Sequence, residues 1–516
     1  MLQRGNDDTL LTVVCPRQTS RRQGGDVGVE IFRQRQGWCS VPPACDGVVT
    51  FWVRQGAARG QIWKRGIVMR GVASARKESD LLYLFMVIAF LLFATRDGLT
   101  GAVRYFLSLV HLDMLWFVPD LMAFALVVVF AYQQIFVKRN PIGIMFVFAF
   151  IFSLGVSVYF MKSDVLAFVS TIKSFTPMFI GFCFYNRSIT ERRWVRWFLI
   201  ALLAASIVGL ILNRFVEYPW AGQTITAFGV EKQASKLWWQ GGEVRYGGFA
   251  GDSTMAAYMV VFIYALLSPY MSLAVNVALW PFMGWAIQTS TSKTALGIFV
   301  IYVMMFIFAR LLKYPERIKT FLRRTALWSF LALLLPPVLM LALSGVSLED
   351  LSPTLMSMAD RINNTWQQPF ETVAELFPVG LVLGCGIGCF AYPMQYTPMA
   401  DYHVPLDNFY MTTFIMMGFP FLVTVLYQIY SVRYVKDPVR LSLITLFNLY
   451  SITVQCYGPS FATLMYGYIF SEMFGMAWRL ERRIQPMPTI ASSLGIATSW
   501  SGGGDVGLKA GRQPAR

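Results

Sequence analysis

The sequence predicts an all-α fold: a polytopic integral membrane helical bundle of about 12 transmembrane helices, with two long loops on one side. Three observations carry this expectation. Of the 516 residues, 56% are hydrophobic and 14% charged, with a mean hydropathy of +0.52; a soluble chain carries roughly 25% charged residues. Apolar runs of about 17–25 residues recur along the chain, the length a helix needs to cross a bilayer. The 42 Phe, 23 Tyr and 15 Trp match the aromatic content of membrane interfaces.

Residues 1–80 read as a basic, disordered N-terminal extension. Within it, 1–68 are rich in Arg, Gln and Gly and hold no run of membrane length. Met69 opens a natural cytoplasmic lead into the first helix, so 1–68 is read as an extension or an artefact of start-codon choice. The transmembrane region covers 81–477, with spans at 81–95, 115–136, 142–160, 166–184, 196–213, 253–269, 272–287, 294–310, 326–344, 407–430, 439–456 and 460–477. Two long loops, 214–252 and 345–406, separate them, and 478–516 read as a disordered cytoplasmic tail.

Charge placement supports this order. With the N-terminus in the cytoplasm, even-numbered helices end there. The cytoplasmic loops then carry Lys138 and Arg139; Arg187, Arg192, Arg193 and Arg196; Lys313, Arg317, Lys319, Arg323 and Arg324; and Arg433, Lys436 and Arg440. The tail adds Arg479, Arg482 and Arg483. The opposite face receives both long loops, and the second sets Glu349, Asp350, Asp360, Glu371, Glu375 and Asp401 against a single Arg361. The net charge of +16 is therefore spent on topology and does not argue for nucleic acid.

Two segments resist the pattern. Residues 96–114 place Arg96, Asp97, Arg104, His111 and Asp113 among apolar residues, as a segment lying along the outer interface would. Residues 374–391 are long enough to span, but a span there would invert everything after it, and their glycines suit a folded or re-entrant loop. The seven cysteines form no metal pattern; Cys385 and Cys389, four apart in that loop, are compatible with a disulfide that spacing alone does not require.

Several polar groups gather at the outer ends of these helices. "QTSTSKTALG" forms the turn between two apolar runs, with Ser292 and Lys293 at a helix start, where backbone N–H groups, the dipole and an ammonium all favour an anion. A capped turn with a snorkelling lysine is the ordinary alternative. In "EVRYGGFAGDSTMAAY", Arg245 precedes two glycines, and Asp252 reads first as a helix N-cap. Arg361 stands five residues before Trp366, a fork that suits phosphate near a ring that suits a sugar face or an acyl chain. "DYHVPLDNFYM" brings His403, Asp407, Asn408 and Tyr410 to the start of the tenth span, where Asp407 reads as a proton acceptor or as an N-cap. Three cations and a candidate base on one face can hold a phosphate-bearing leaving group while an acceptor hydroxyl is activated.

Taken in chain order, these blocks resemble the O-antigen polymerase and O-antigen ligase superfamily of bacterial membrane glycosyl-transfer proteins. "RYGGFAGDSTMAAY" looks like its arginine-glycine-phenylalanine block, and "QTSTSKTALG" like its threonine-serine-arginine block, with Lys293 where arginine is usual. "RINNTW" with "GCGIGCF" looks like its large periplasmic loop, and "LDNFYMTTFIMMGFPFL" like its histidine-asparagine block, with Asp407 where histidine is common. Lysine keeps the charge but loses the bidentate fork. Aspartate-asparagine looks most similar to xanthan-type exopolysaccharide polymerases.

The resemblance implies a bacterial inner-membrane enzyme with both termini cytoplasmic and both long loops periplasmic. Its substrate would be a polyprenyl-diphosphate-linked oligosaccharide (in practice undecaprenyl diphosphate), whose growing chain moves onto the next lipid-linked unit. Arg245, Lys293 and Arg361 would bind diphosphate; Asp407, or His403, would take the acceptor proton; Trp366, Asn408, Tyr410 and Ser292 would support them. No cofactor and no metal is implied, and membrane lipid, a chain-length regulator and export proteins are the expected partners. The alternatives are a ligase that transfers finished polysaccharide to another acceptor, and a flippase for the same lipid-linked units.

Overall fold

The structure, a computed structural model, describes residues 11–13, 50–55, 62–67, 71–163, 165–227, 230–233, 235–236, 238–240, 243–312, 314–343, 356–404, 406–458 and 460–475. The first and last segments of the sequence reading, most of 1–68 and all of 478–516, thus lie outside the described residues, as do 345–355 of the large loop. Contacts divide the chain into two units, 1–88 and 89–516. In the first, β1 (Leu11–Val13), β2 (Thr50–Gln55) and β3 (Ile62–Ile67) form an antiparallel sheet in that order. Helix α1 (Gly71–Gly98) carries the chain into the second.

The second unit continues with α2 (Thr100–Leu109), α3 (Val118–Tyr132), α4 (Pro141–Met161), α5 (Val165–Cys183) and α6 (Arg193–Asn213). Two small hairpins follow, β4 (Thr224–Ala227) with β5 (Val230–Gln233) and β6 (Trp238–Gln240) with β7 (Glu243–Arg245). Then come α7 (Ser253–Leu267), α8 (Leu273–Thr289), α9 (Lys293–Leu311), α10 (Pro315–Ser329) and α11 (Leu335–Leu343). The large loop holds α12 (Met356–Asp360), α13 (Gln368–Leu376) and α14 (Gly380–Leu383), and the chain ends with α15 (Phe409–Met417), α16 (Phe419–Ser431), α17 (Pro438–Tyr450) and α18 (Ser460–Phe470).

Among the described residues, eight helical stretches are long and apolar enough to cross a membrane, where the sequence suggests about 12. They are Asp80–Gly98, Asp113–Val137, Pro141–Met161, Val165–Cys183, Arg193–Asn213, Ser253–Tyr270, Lys293–Leu311 and Pro315–Leu343. The other four expected spans are shorter or broken. α8 has 17 residues, α17 has 13 and α18 has 11. The run 407–430 breaks at Gly418, whose φ of +63° is closed to most side chains.

These short helices include the most enclosed ones. From Met255 to Leu267 every residue of α7 is buried, as is every residue of α18 and all of α17 except Pro438 and Leu449. α18 packs on α5 at Gly181 and Gly467, where a methyl group on either glycine would overlap the other helix's backbone. Small residues at such a crossing let two backbones approach closely.

Residues 374–391 hold no long helix. After α14, Gly384–Ala391 form a buried loop against α4 and α15. Cys385 N–H donates to Ile415 O at 2.8 Å, Gly386 N–H to Met416 O at 3.0 Å, and Ile387 N–H to Ser153 O at 3.2 Å. A Cβ on Gly386 would overlap the backbone of Ser157. Cys385 and Cys389 are joined by a disulfide. Where the sequence suggests that 96–114 lies along an interface, the structure buries Arg96 and Asp97 and leaves Phe106, Leu109, Leu112 and Met114 exposed.

Candidate functional site

Five chain ends meet around the polar groups singled out above: β7, the starts of α7, α9 and α15, and the end of α17. The hairpin β6–β7 delivers Arg245 to the turn after α8. Its Nε donates to Ser290 O at 3.5 Å, and Tyr246 N–H donates to Thr289 O at 3.4 Å. Asp252 caps α7, accepting from Met255 N–H at 2.7 Å. Ser292 caps α9 by accepting from Ala295 N–H at 3.4 Å, so its hydroxyl is committed to the backbone. Lys293 opens α9 and is exposed; the next residue, Thr294, shares a hydrogen bond of 2.8 Å with Thr453.

Arg361 begins a wide helical turn, Arg361–Thr365, that ends on Trp366. Trp366 is fully buried and donates its indole N–H to the main-chain oxygen of Asp407 at 3.5 Å. Asn408, rather than Asp407, caps α15: its Oδ1 accepts from Met411 N–H at 2.8 Å, and its Nδ2 donates to Ile452 O at 2.9 Å. The N-cap reading of Asp407 is therefore replaced, and its carboxylate is not spent on the helix start. Tyr410 points into the core, where its hydroxyl donates to Asn448.

Electrostatics ties three of the named residues together. Burial pushes the Asp407 carboxyl above the ordinary carboxylate range; Arg361 and Arg245 pull it back without cancelling the shift, and Asp360 adds to it. Burial also lowers the Arg245 pKa, with Asp252, Tyr450 and Asp407 opposing and Arg361 reinforcing. Arg245, Arg361 and Asp407 thus act on one another, and Tyr450, unmarked in the sequence, joins them while its hydroxyl donates to Thr254 O at 3.1 Å. Two guanidinium groups thus bear on one half-buried carboxylate whose pKa burial raises.

His403 sits apart from this group in its contacts. Its Nδ1 lies 3.5 Å from Gln395 Nε2, and burial lowers its pKa. Among the described residues, no three His, Cys, Asp or Glu side chains group as metal ligands would. No protein-family model matches the sequence, and no curated protein matches it.

Proposed function

We propose that this protein polymerises polyprenyl-diphosphate-linked oligosaccharide repeat units into exopolysaccharide at the periplasmic face of a bacterial inner membrane. The observation that supports the reading is that the segments carrying Arg245, Lys293, Arg361 and Asp407 are joined by hydrogen bonds. These run from Arg245 to Ser290 O, between Thr294 and Thr453, from Asn408 to Ile452 O and from Trp366 to Asp407 O, with Arg245 and Arg361 both acting on the Asp407 carboxyl. The blocks that resemble the O-antigen polymerase and ligase superfamily contain all four.

In the proposed reaction, an acceptor hydroxyl on one lipid-linked unit attacks the anomeric carbon of the growing chain. The new C–O bond forms as the bond to the diphosphate breaks. The bonding pair leaves with the polyprenyl diphosphate, and the acceptor proton passes to Asp407, with His403 as the alternative base. Arg245 and Arg361 stabilise the charge that develops on the leaving group, with Lys293 at the rim. A carboxylate raised by burial is a stronger proton acceptor than an exposed one. The charge bias of the loops supports the orientation in which both termini are cytoplasmic.

The test is made in cells lacking the native protein, complemented with wild type or Arg361→Ala at matched membrane levels. Sizing the lipid-linked glycans should show long polymer for wild type and single units on the periplasmic side for the variant. Single units held on the cytoplasmic side would favour a flippase. Glycan on a non-lipid-diphosphate acceptor would favour a ligase, and polymer of normal length from Arg361→Ala would move the site elsewhere.

A further inference from the structure

A second group of charges lies at the other end of the segment that borders Asp407. The connection from α17 to α18 touches the first site at Ile452 and Thr453. It then passes Gln455, which donates to Phe390 O at 2.8 Å. It ends at Ser460 and Phe461: Ser460 Oγ accepts from Arg96, and Phe461 N–H donates to Asp97 Oδ2 at 2.6 Å. Buried Arg96 is shared between Asp97 at 3.4 Å and Asp120 at 2.8 Å. Those pairs join α1, the Asp113–Val137 helix and α18, and they account for Arg96, Asp97 and one oxygen of Asp120.

Two further cations border this network, one of them paired with it. Lys173 reaches the other oxygen of Asp120 at 3.3 Å, and its side chain remains 32% exposed above the Phe117 ring at 4.7 Å. Half-buried Arg104 lies over Trp116 at 4.4 Å. Burial and the like charge of Arg96 both disfavour the charged form of Arg104, against weaker support from Tyr392 and exposed Asp113. Three cations therefore crowd two buried carboxylates, and the two accessible ones sit on aromatic floors. Arg104 takes no part in these ion pairs, and the pair with Asp120 leaves Lys173 partly exposed, so an anion beside the two cations would relieve the crowding.

The two sites share their frame. α2, which carries Arg104, is held by Gly101 N–H donating to Phe249 O at 2.9 Å, in the loop between Arg245 and α7. The large loop supplies Arg361 to one site and Tyr392 to the other.

We propose that Arg104 and Lys173 form a second phosphate subsite, which takes the headgroup of a lipid phosphate or diphosphate. The identity of the ligand rests on the polymerase reading, since transfer between two lipid-linked units needs two headgroups held at once.

The test uses the full-length protein in phosphatidylcholine nanodiscs, titrated calorimetrically with farnesyl diphosphate. Wild type should bind two equivalents, and the Arg104→Ala/Lys173→Ala variant one. Arg361→Ala should lose the other equivalent. Arg104→Lys/Lys173→Arg should restore two, which separates lost binding from lost folding. Two equivalents in the double alanine variant, or a single wild-type equivalent lost only in Arg361→Ala, would overturn the second subsite. A single equivalent lost only in the double alanine variant would uphold it and remove the Arg361 site instead. Inorganic diphosphate, in a parallel arm, should bind the second subsite at least about tenfold more weakly; equal affinity would overturn the lipid assignment.

Discussion

The indole N–H of Trp366 donates to the main-chain oxygen of Asp407, so the turn that carries Arg361 is fastened to the residue proposed as base. Trp366→Phe removes that bond and keeps the packing. A neutral hydrogen bond is worth about 0.5–1.5 kcal/mol net. The variant should therefore melt slightly below wild type and, with the Arg361 turn loosened, slow glycan transfer in membrane vesicles by up to about tenfold. Trp366→Ala, at a fully buried position, should cost about 3–5 kcal/mol of stability, read by thermal melting in detergent.

Asp407 gives a pH signature. Its pKa is raised in the fold, so the protonated form is the better accommodated one. Its contribution to stability is fully present below the ordinary carboxylate pKa and is lost as pH rises through the folded value. Its use as a base runs the other way, since only the ionised form accepts a proton. Transfer should fall as pH drops through a pKa above the ordinary carboxylate range. Asp407→Asn should be inactive, yet melt at neutral pH no lower than wild type. An Asn variant that melts well below wild type would show that the carboxylate serves the fold.

Asn408 is predicted to matter through structure. Asn408→Ala deletes the α15 cap and the bond to Ile452, and caps are worth about 0.5–2 kcal/mol. Asn408→Asp keeps the acceptor for Met411 and should retain most of the melting temperature. Equal melting of the Ala variant and wild type would refute the cap.

The contact between α5 and α18 predicts a steric failure. A methyl group on Gly467 would overlap Met178 O, a backbone atom that cannot swing aside as a side-chain end can. Gly467→Ala should sharply reduce the yield of monodisperse protein in detergent chromatography. Gly297→Ala, where a Cβ meets open space, is the matched control and should behave as wild type.

The legible part of this molecule was what apolar length and charge order encode. Eight stretches of the expected map are membrane-length helices. Span counting over-reads the remainder because residues such as Leu441 and Leu464 are apolar through burial in protein, and a short helix in a core looks like part of a long one in lipid. Arg245, Arg361 and Asp407 were each visible as polar groups at helix ends. Their association was not, because it depends on how the loop that carries Arg245 folds back beside the loop that carries Arg361 and borders Asp407. The cap illustrates the limit: Asp407 and Asn408 are both good N-caps, and only the backbone decides which is used. Lys173 and Asp120 stood inside predicted spans, where an ionisable residue is itself a signal.

The buried loop at Gly386 also bears on biosynthesis. Its seat, Ser153 and Ser157 on α4, is translated more than two hundred residues before Met416, which completes the other wall. A nascent chain therefore carries an open polar notch in α4 until α15 has emerged. Arrest of translation short of Gly418 leaves Ser153 and Ser157 without the wall that Ile415 and Met416 complete in the finished fold.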